Sequence, residues 1–266
     1  MKLKRLSDLK RHEPREVALG TLPTDIAMGR FAVDKAFRIN ALVREVHGES
    51  FEWYGFLLAA RDEPETVLDV GIPPNEQNLR EHARIAAEKI IQFQEALPAE
   101  WIINGWIHSH GSLAYRRFSD LDEENHLTVL DFVTSLVRKP IAKREIPVKD
   151  LALLVSGSHS EADLREGSVT LVTDAPVRSA WILEAVYGGF CYAVVVGDDG
   201  WHEQEILYKR RGILTGETLI HKKKATIRKV ETGPFLTALG EEQLREEIRR
   251  KVQPPKADPP EHMERL

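Results

Sequence analysis

The chain has 266 residues, a formal net charge of −5 and a pI near 6.1, and 42% of its residues are hydrophobic. That apolar content supports a real core and excludes a disordered chain, while the acidic balance gives no general reason to expect a nucleic-acid binder. The single cysteine, Cys191, excludes a disulfide framework or a thiolate zinc knuckle within the chain and fits a reducing, cytoplasmic setting.

The opening MKLKRLSDLKRHEPREVALG is basic without an apolar stretch, so it does not read as a secretory signal, and residues 1–25 are expected to be a flexible or docking arm. From Asp34 to His47 the apolar residues Ile39, Leu42, Val43 and Val46 share one helical face, and Gly48 reads as the stop. FEWYGFLLAAR and TVLDVGIPP are strand-like, with Asp62-Glu63-Pro64 as the turn between them. A helix is expected from Leu79 to Leu97, ended by Pro98; Asn75 and Asn78 before it suit turn and cap geometry. WIINGWIHSH is a strand, and Ser119 to Val137 a helix with Leu127, Leu130, Val133, Leu136 and Val137 at helical spacing.

LALLVSG, SVTLVT, AWILEAVYGGF, CYAVVVG and HEQEILYKR are further strand candidates, the last two joined by a hairpin at Gly197-Asp198-Asp199-Gly200. None approaches the roughly 20 apolar residues of a membrane span. HKKKATIRK, 221–229, reads as a charged edge strand or a dock for an acidic partner. In the tail, GEEQLREEIRRKV pairs glutamates with basic residues four apart, as a solvated helix does. Only Leu244, Ile248 and Val252 line its apolar side, so weak docking or none is expected, with a disordered PPKADPPEHMERL behind it. The order α-β-β-α-β-α followed by strands predicts an α/β (α+β-like) layered domain. No GxGxxG or GxxxxGK[ST] pattern is present, so a nucleotide cofactor has no support.

The chemistry concentrates in WIHSHGSLAYRRFSDLDEEN, residues 106–125. Side chains at i and i+2 of a strand point the same way, with Cα atoms roughly 6.5 Å apart, so His108 and His110 can converge on one ion. Ser119-x-x-Asp122 reads as a capping box opening a helix, an ordinary structural device. It also places a carboxylate where it can complete a site of two histidines and one acid, the donor set of a catalytic zinc with an open position. Hydrolysis at such a site needs a base. Glu52, between Phe51 and the apolar WYGFLLAA run, is the candidate. His126, one helical turn after Asp122, reads as a helix-surface histidine or as a partner behind the ligands, and Cys191 as a buried strand residue.

Taken together, Glu52-x-x-Gly55, His108-Ser109-His110 and Ser119-x-x-Asp122 resemble the JAMM (MPN-plus, JAB-type) motif of zinc metallopeptidases. The similarity spans roughly residues 34–210 as an order of elements, and GWIHSH resembles the family's approach to its histidines. The resemblance implies a mixed curved sheet flanked by helices over residues 26–235, preceded by the 1–25 arm and followed by a charged helix and tail over 236–266. It implies Zn2+ held by His108, His110 and Asp122. Glu52 would be the general base toward the attacking water, passing its proton to the leaving amine, and Ser119 would stabilise the oxyanion. The implied activity is hydrolysis of peptide or isopeptide bonds in protein substrates such as conjugates of ubiquitin-like modifiers, with no membrane or nucleic-acid partner and no indication of oligomeric state. Gly111 stands where the family often has Pro, and eight residues, 111–118, separate His110 from Ser119 where seven are usual. Residues 141–150, IAKREIPVKD, are a candidate loop near a substrate groove, and Arg116 and Arg117 candidate substrate contacts. A non-catalytic MPN scaffold and a nucleic-acid-linked member of the superfamily are the alternatives.

Overall fold

The structure is a computed structural model, described here for residues 14–74, 85–112, 115–149, 169–172, 179–233 and 235–254. It is mixed α/β, and the chain divides into two units. The larger comprises Pro23–Arg138, Gly189–Lys209 and Ile220–Leu266, the smaller Met1–Leu22, Lys139–Gly188 and Arg210–Leu219.

In the larger unit, β2 (Ile26–Gly29) leads directly into α1 (Arg30–His47). The helix turns Ala36, Ile39, Leu42 and Val43 inward and stops where Gly48 takes the left-handed conformation, φ 78°, that only glycine adopts freely. β3 (Tyr54–Ala60) pairs antiparallel with β5 (Asp69–Gly71) and with β6 (Trp101–Ser109), and β4 (Thr66–Val67) lies between β3 and β5 in sequence. β6 runs parallel to the second half of β9 (Ser179–Val196), which makes the sheet mixed. α2 (Ala87–Ala96) and α3 (Asp120–Leu136) pack with this sheet: Ile90, Val129, Leu130 and Val133 join Phe56, Ile103, Trp106 and Cys191 in one core cluster. Burying each such side chain stabilises by about 1.5–3 kcal/mol. The part of the expected Leu79–Leu97 helix before residue 85, with Asn75 and Asn78, lies outside the described residues, as does LALLVSG.

β10 (His202–Gly212) pairs with β9 and with β11 (Thr218–Lys224), and β12 (Ile227–Val230) pairs parallel with β2, which in turn pairs with β4. The helix expected to dock weakly, α4 (Ala238–Lys251), instead buries Leu244 and Ile248, and Val252 just after it, to 3% exposure or less. Arg38 of α1 pairs with Glu241 and Glu45, and Arg245 pairs with Glu45, so the rim of the α1–α4 contact is laced by ion pairs.

In the smaller unit, the first half of β9 lies between β7 (Lys139–Lys149) and β8 (Val169–Val172), antiparallel to both. β1 (Glu16–Ala18), within the expected arm, pairs antiparallel with β7. Residues 141–149 are therefore strand and not the loop expected there. Glu184 is fully buried in this unit, bonded to Arg144 at 2.6 Å, to the Leu214 and Thr215 backbone N–H groups and to the Thr215 hydroxyl. Among the described residues no helix is long and apolar enough to cross a membrane.

Candidate metal centre

β6 carries both histidines into the site. Tyr54 of β3 pairs with His108 on one side, Val195 of β9 pairs with it on the other, and the His110 N–H continues the ladder by donating to Val196 O at 3.0 Å. The strand end is thus held by backbone on both edges, and the two-residue spacing turns both imidazoles to one face. Their Nε2 atoms lie 3.1 Å apart. Asp122 reaches the same point from α3, its Oδ1 3.2 Å from His108 Nε2 and its Oδ2 3.5 Å from His110 Nε2. All three residues are buried, and among the described residues they form the one group of three or more acid, histidine or thiol donors able to hold a metal ion.

The helix start aims the carboxylate. Ser119 caps α3: its hydroxyl accepts the Asp122 N–H at 3.2 Å and donates to Asp122 Oδ2 at 2.8 Å, while the Ser119 N–H donates to the same oxygen at 2.6 Å. This is the reciprocal capping box, with Asp in the N3 position. The cap that starts the helix therefore also orients the Asp122 carboxylate beside the two histidines.

The donor set fits a divalent cation. One ligand atom from each residue lies within 4.8 Å of the others, close enough for all three to reach one ion. The His110 Nδ1–H is directed at Tyr115 O at 2.9 Å, which keeps the Nε2 lone pair of the neutral ring facing the site. His108 Nδ1 is buried without a hydrogen-bond partner among the described residues, and its ring is oriented by stacking on Trp106 at 4.4 Å and 13°.

Electrostatics follow the same geometry. Burial alone would raise the Asp122 pKa, but the hydrogen bonds with His108, His110 and the Ser119 backbone overcome it and hold the carboxyl well below the usual range. Burial lowers His108 despite Asp122. For His110 the opposing influences of Asp122, the Tyr115 carbonyl and the Glu52 charge outweigh burial and raise it. Glu52 is half-buried in the segment leading into β3, flanked by the buried Phe51 and Trp53, and its charge is felt at His110. Trp53 O accepts the Ser109 N–H at 2.9 Å, tying that segment to the residue between the two histidines.

His126 is not on the helix surface. It is fully buried, 3.0 Å from Glu205, edge-on to Trp106 and Phe118, and so lies behind the ring that supports His108. Its position four residues after Asp122 puts it on the same inward stripe, which in its first two turns is polar (Asp122, Asn125, His126) before it becomes Val129, Leu130 and Val133. Leu127 and Leu136, expected on the apolar face, are exposed.

Trp106 and Trp201 are site residues that the sequence reading did not single out. Trp106 was legible, being two residues before His108 on the same strand face. Trp201 stands edge-on to His110 at 5.9 Å, with Arg116 over its ring and held by Asp199 at 2.9 Å; no sequence signal marks it. Arg117 is exposed. Cys191 is buried, and burial pushes its thiol pKa up, away from nucleophilic use. In the basic strip Lys222 pairs with Glu123 and Lys224 with Glu203. No known protein-family model matches the chain, and no curated protein matches it.

Proposed function

We propose that this chain is a zinc-dependent hydrolase of peptide or isopeptide bonds, of the JAMM kind in fold and chemistry. The observation that carries the reading is the buried convergence of His108, His110 and Asp122 to within hydrogen-bonding distance of one another. These residues come from a strand end and the next helix start, as the motif implies. Zinc held by these three residues supplies a Lewis acid that polarises a carbonyl and lowers the pKa of water to about 7. Glu52, on the segment beside Ser109, accepts the proton of the attacking water and returns it to the leaving amine. Ser119 serves first as the clamp on Asp122; its hydroxyl reaches an oxyanion by rotating away from Oδ2. Tyr115 and Trp201 stand beside His110 as walls of the approach.

The substrate class is a protein with an extended C-terminal tail, such as a ubiquitin-like modifier, able to enter between such walls. Glu52→Gln tests the reading. On a panel of ubiquitin-like fusions and isopeptide conjugates, the wild type cleaves at least one, and the variant loses 10²–10⁴-fold in kcat while keeping its metal. A Glu52→Gln variant as active as the wild type refutes the assigned base.

A further inference from the structure

Glu52 lies just before β3, outside any regular element, yet a general base must be held to a fraction of an ångström. Its two neighbours at positions 50 and 53 are anchored to a common pair of residues. Trp53 Nε1–H donates to Asn40 Oδ1 at 3.1 Å, and Asn40 Nδ2 donates to Asp198 Oδ1 at 2.9 Å. Ser50 Oγ donates to that same Asp198 oxygen at 2.9 Å, and the Asp198 N–H donates to Gly111 O at 3.3 Å. The chemistry fixes the orientation of the Asn40 amide, because an indole N–H only donates and a carboxylate only accepts.

Asn40 is 5% exposed on the inward face of α1, among Ile39, Leu42 and Val43, where an aliphatic residue would serve packing alone. A buried amide is tolerated there because both its groups are bonded. Gly111 completes the ring: φ is +53°, and a Cβ there would stand 3.2 Å from Ser50 Oγ and 3.3 Å from Phe51. Ser50 and Phe51 therefore run flush against the residue that follows His110.

We infer that Asn40 and Asp198 are positioning residues for Glu52, a brace from α1 and the β9–β10 turn that sets the base against the metal centre. The inference rests on the hydrolase reading above. It is tested on the full, zinc-loaded chain in two ways. In hydrogen exchange, Asn40→Ala and Asp198→Ala speed exchange of peptides covering residues 48–54 by tenfold or more, with peptides from β6 unchanged. Asp198→Asn keeps the accepting oxygen and behaves as wild type.

In steady-state cleavage of a ubiquitin C-terminal fusion, the two alanine variants lose 10–100-fold in kcat with KM within twofold. The same substitutions made on Glu52→Gln cause no further loss. Unchanged exchange, or an equal loss of kcat with and without Glu52, overturns the brace. A wild type inert on the whole panel of fusions and conjugates instead overturns the hydrolase reading, whereas a fully active Glu52→Gln refutes Glu52 as the base and overturns the brace with it. If Asn40→Ala does not fold, Asp198→Ala, in the turn, carries both measurements alone.

Discussion

Ser119 joins helix stability to metal affinity, and the two can be separated by choice of substitution. Ser119→Ala removes the cap that accepts the Asp122 N–H at 3.2 Å and the hydroxyl that donates to Asp122 Oδ2 at 2.8 Å. Loss of the cap costs about 1 kcal/mol in the alanine variant but only a few tenths in Ser119→Gly, whose backbone suits a cap. Loss of the hydroxyl loosens the carboxylate equally in both. Removing a group that orients a ligand lowers metal affinity by about 10–100-fold. Here the Ser119 N–H still holds Oδ2 at 2.6 Å, so the lower end, about tenfold or 1.4 kcal/mol, is expected. The assays are urea unfolding of the metal-free variants and zinc titration against a competing chelator. Ser119→Gly should unfold almost as the wild type does while binding zinc about tenfold more weakly. If it binds zinc as tightly as the wild type, or if affinity tracks stability across the two variants, the claim that the cap aims the ligand is wrong.

Other predictions concern the frame. Arg144→Ala leaves Glu184 buried with only neutral partners and should cost about 3 kcal/mol or more in urea unfolding. Burial alone would raise the Glu184 pKa, but the Thr215 backbone, Arg144 and the Thr215 hydroxyl overcome it and hold it below the ordinary carboxylate value. Its contribution to stability is therefore present above about pH 4.5 and lost as pH falls through the lowered value, so Glu184→Gln should flatten that acid limb. Ile248→Ala removes a fully buried side chain between α4 and its support and should cost about 2–5 kcal/mol; a loss within 0.5 kcal/mol would mean α4 is not docked in solution.

Much of the site was legible because it follows local periodicities. The period of two sets His108 beside His110 and would equally mark Trp106, and Ser119-x-x-Asp122 announces a cap whose carboxylate stands beside the histidines. Of the two readings of His126 the surface one fails; its burial depends on Glu205 and Phe118, which the periodicity of α3 does not reveal. AWILEAVYGGF and CYAVVVG read as two strands because Gly188-Gly189 resembles a break, yet β9 runs through. The glycines answer crowding: a Cβ at Gly188 would stand 2.5 Å from Ile141, and at Gly189 2.6 Å from Val137 O. Residues 141–150 read as a candidate loop near a groove, yet 141–149 pair with β9 as part of β7, where Pro140 and Pro147 are accommodated. The docking of α4 rests on the burial of Leu244, Ile248 and Val252, with ion pairs to α1 at the rim, and so is a matter of tertiary structure.

Elemental analysis of the purified chain decides whether His108, His110 and Asp122 hold zinc. The wild type should carry about one zinc per chain and His108→Ala/His110→Ala none, with the circular dichroism of the fold retained. A wild type free of zinc after purification in metal-replete conditions would contradict that assignment.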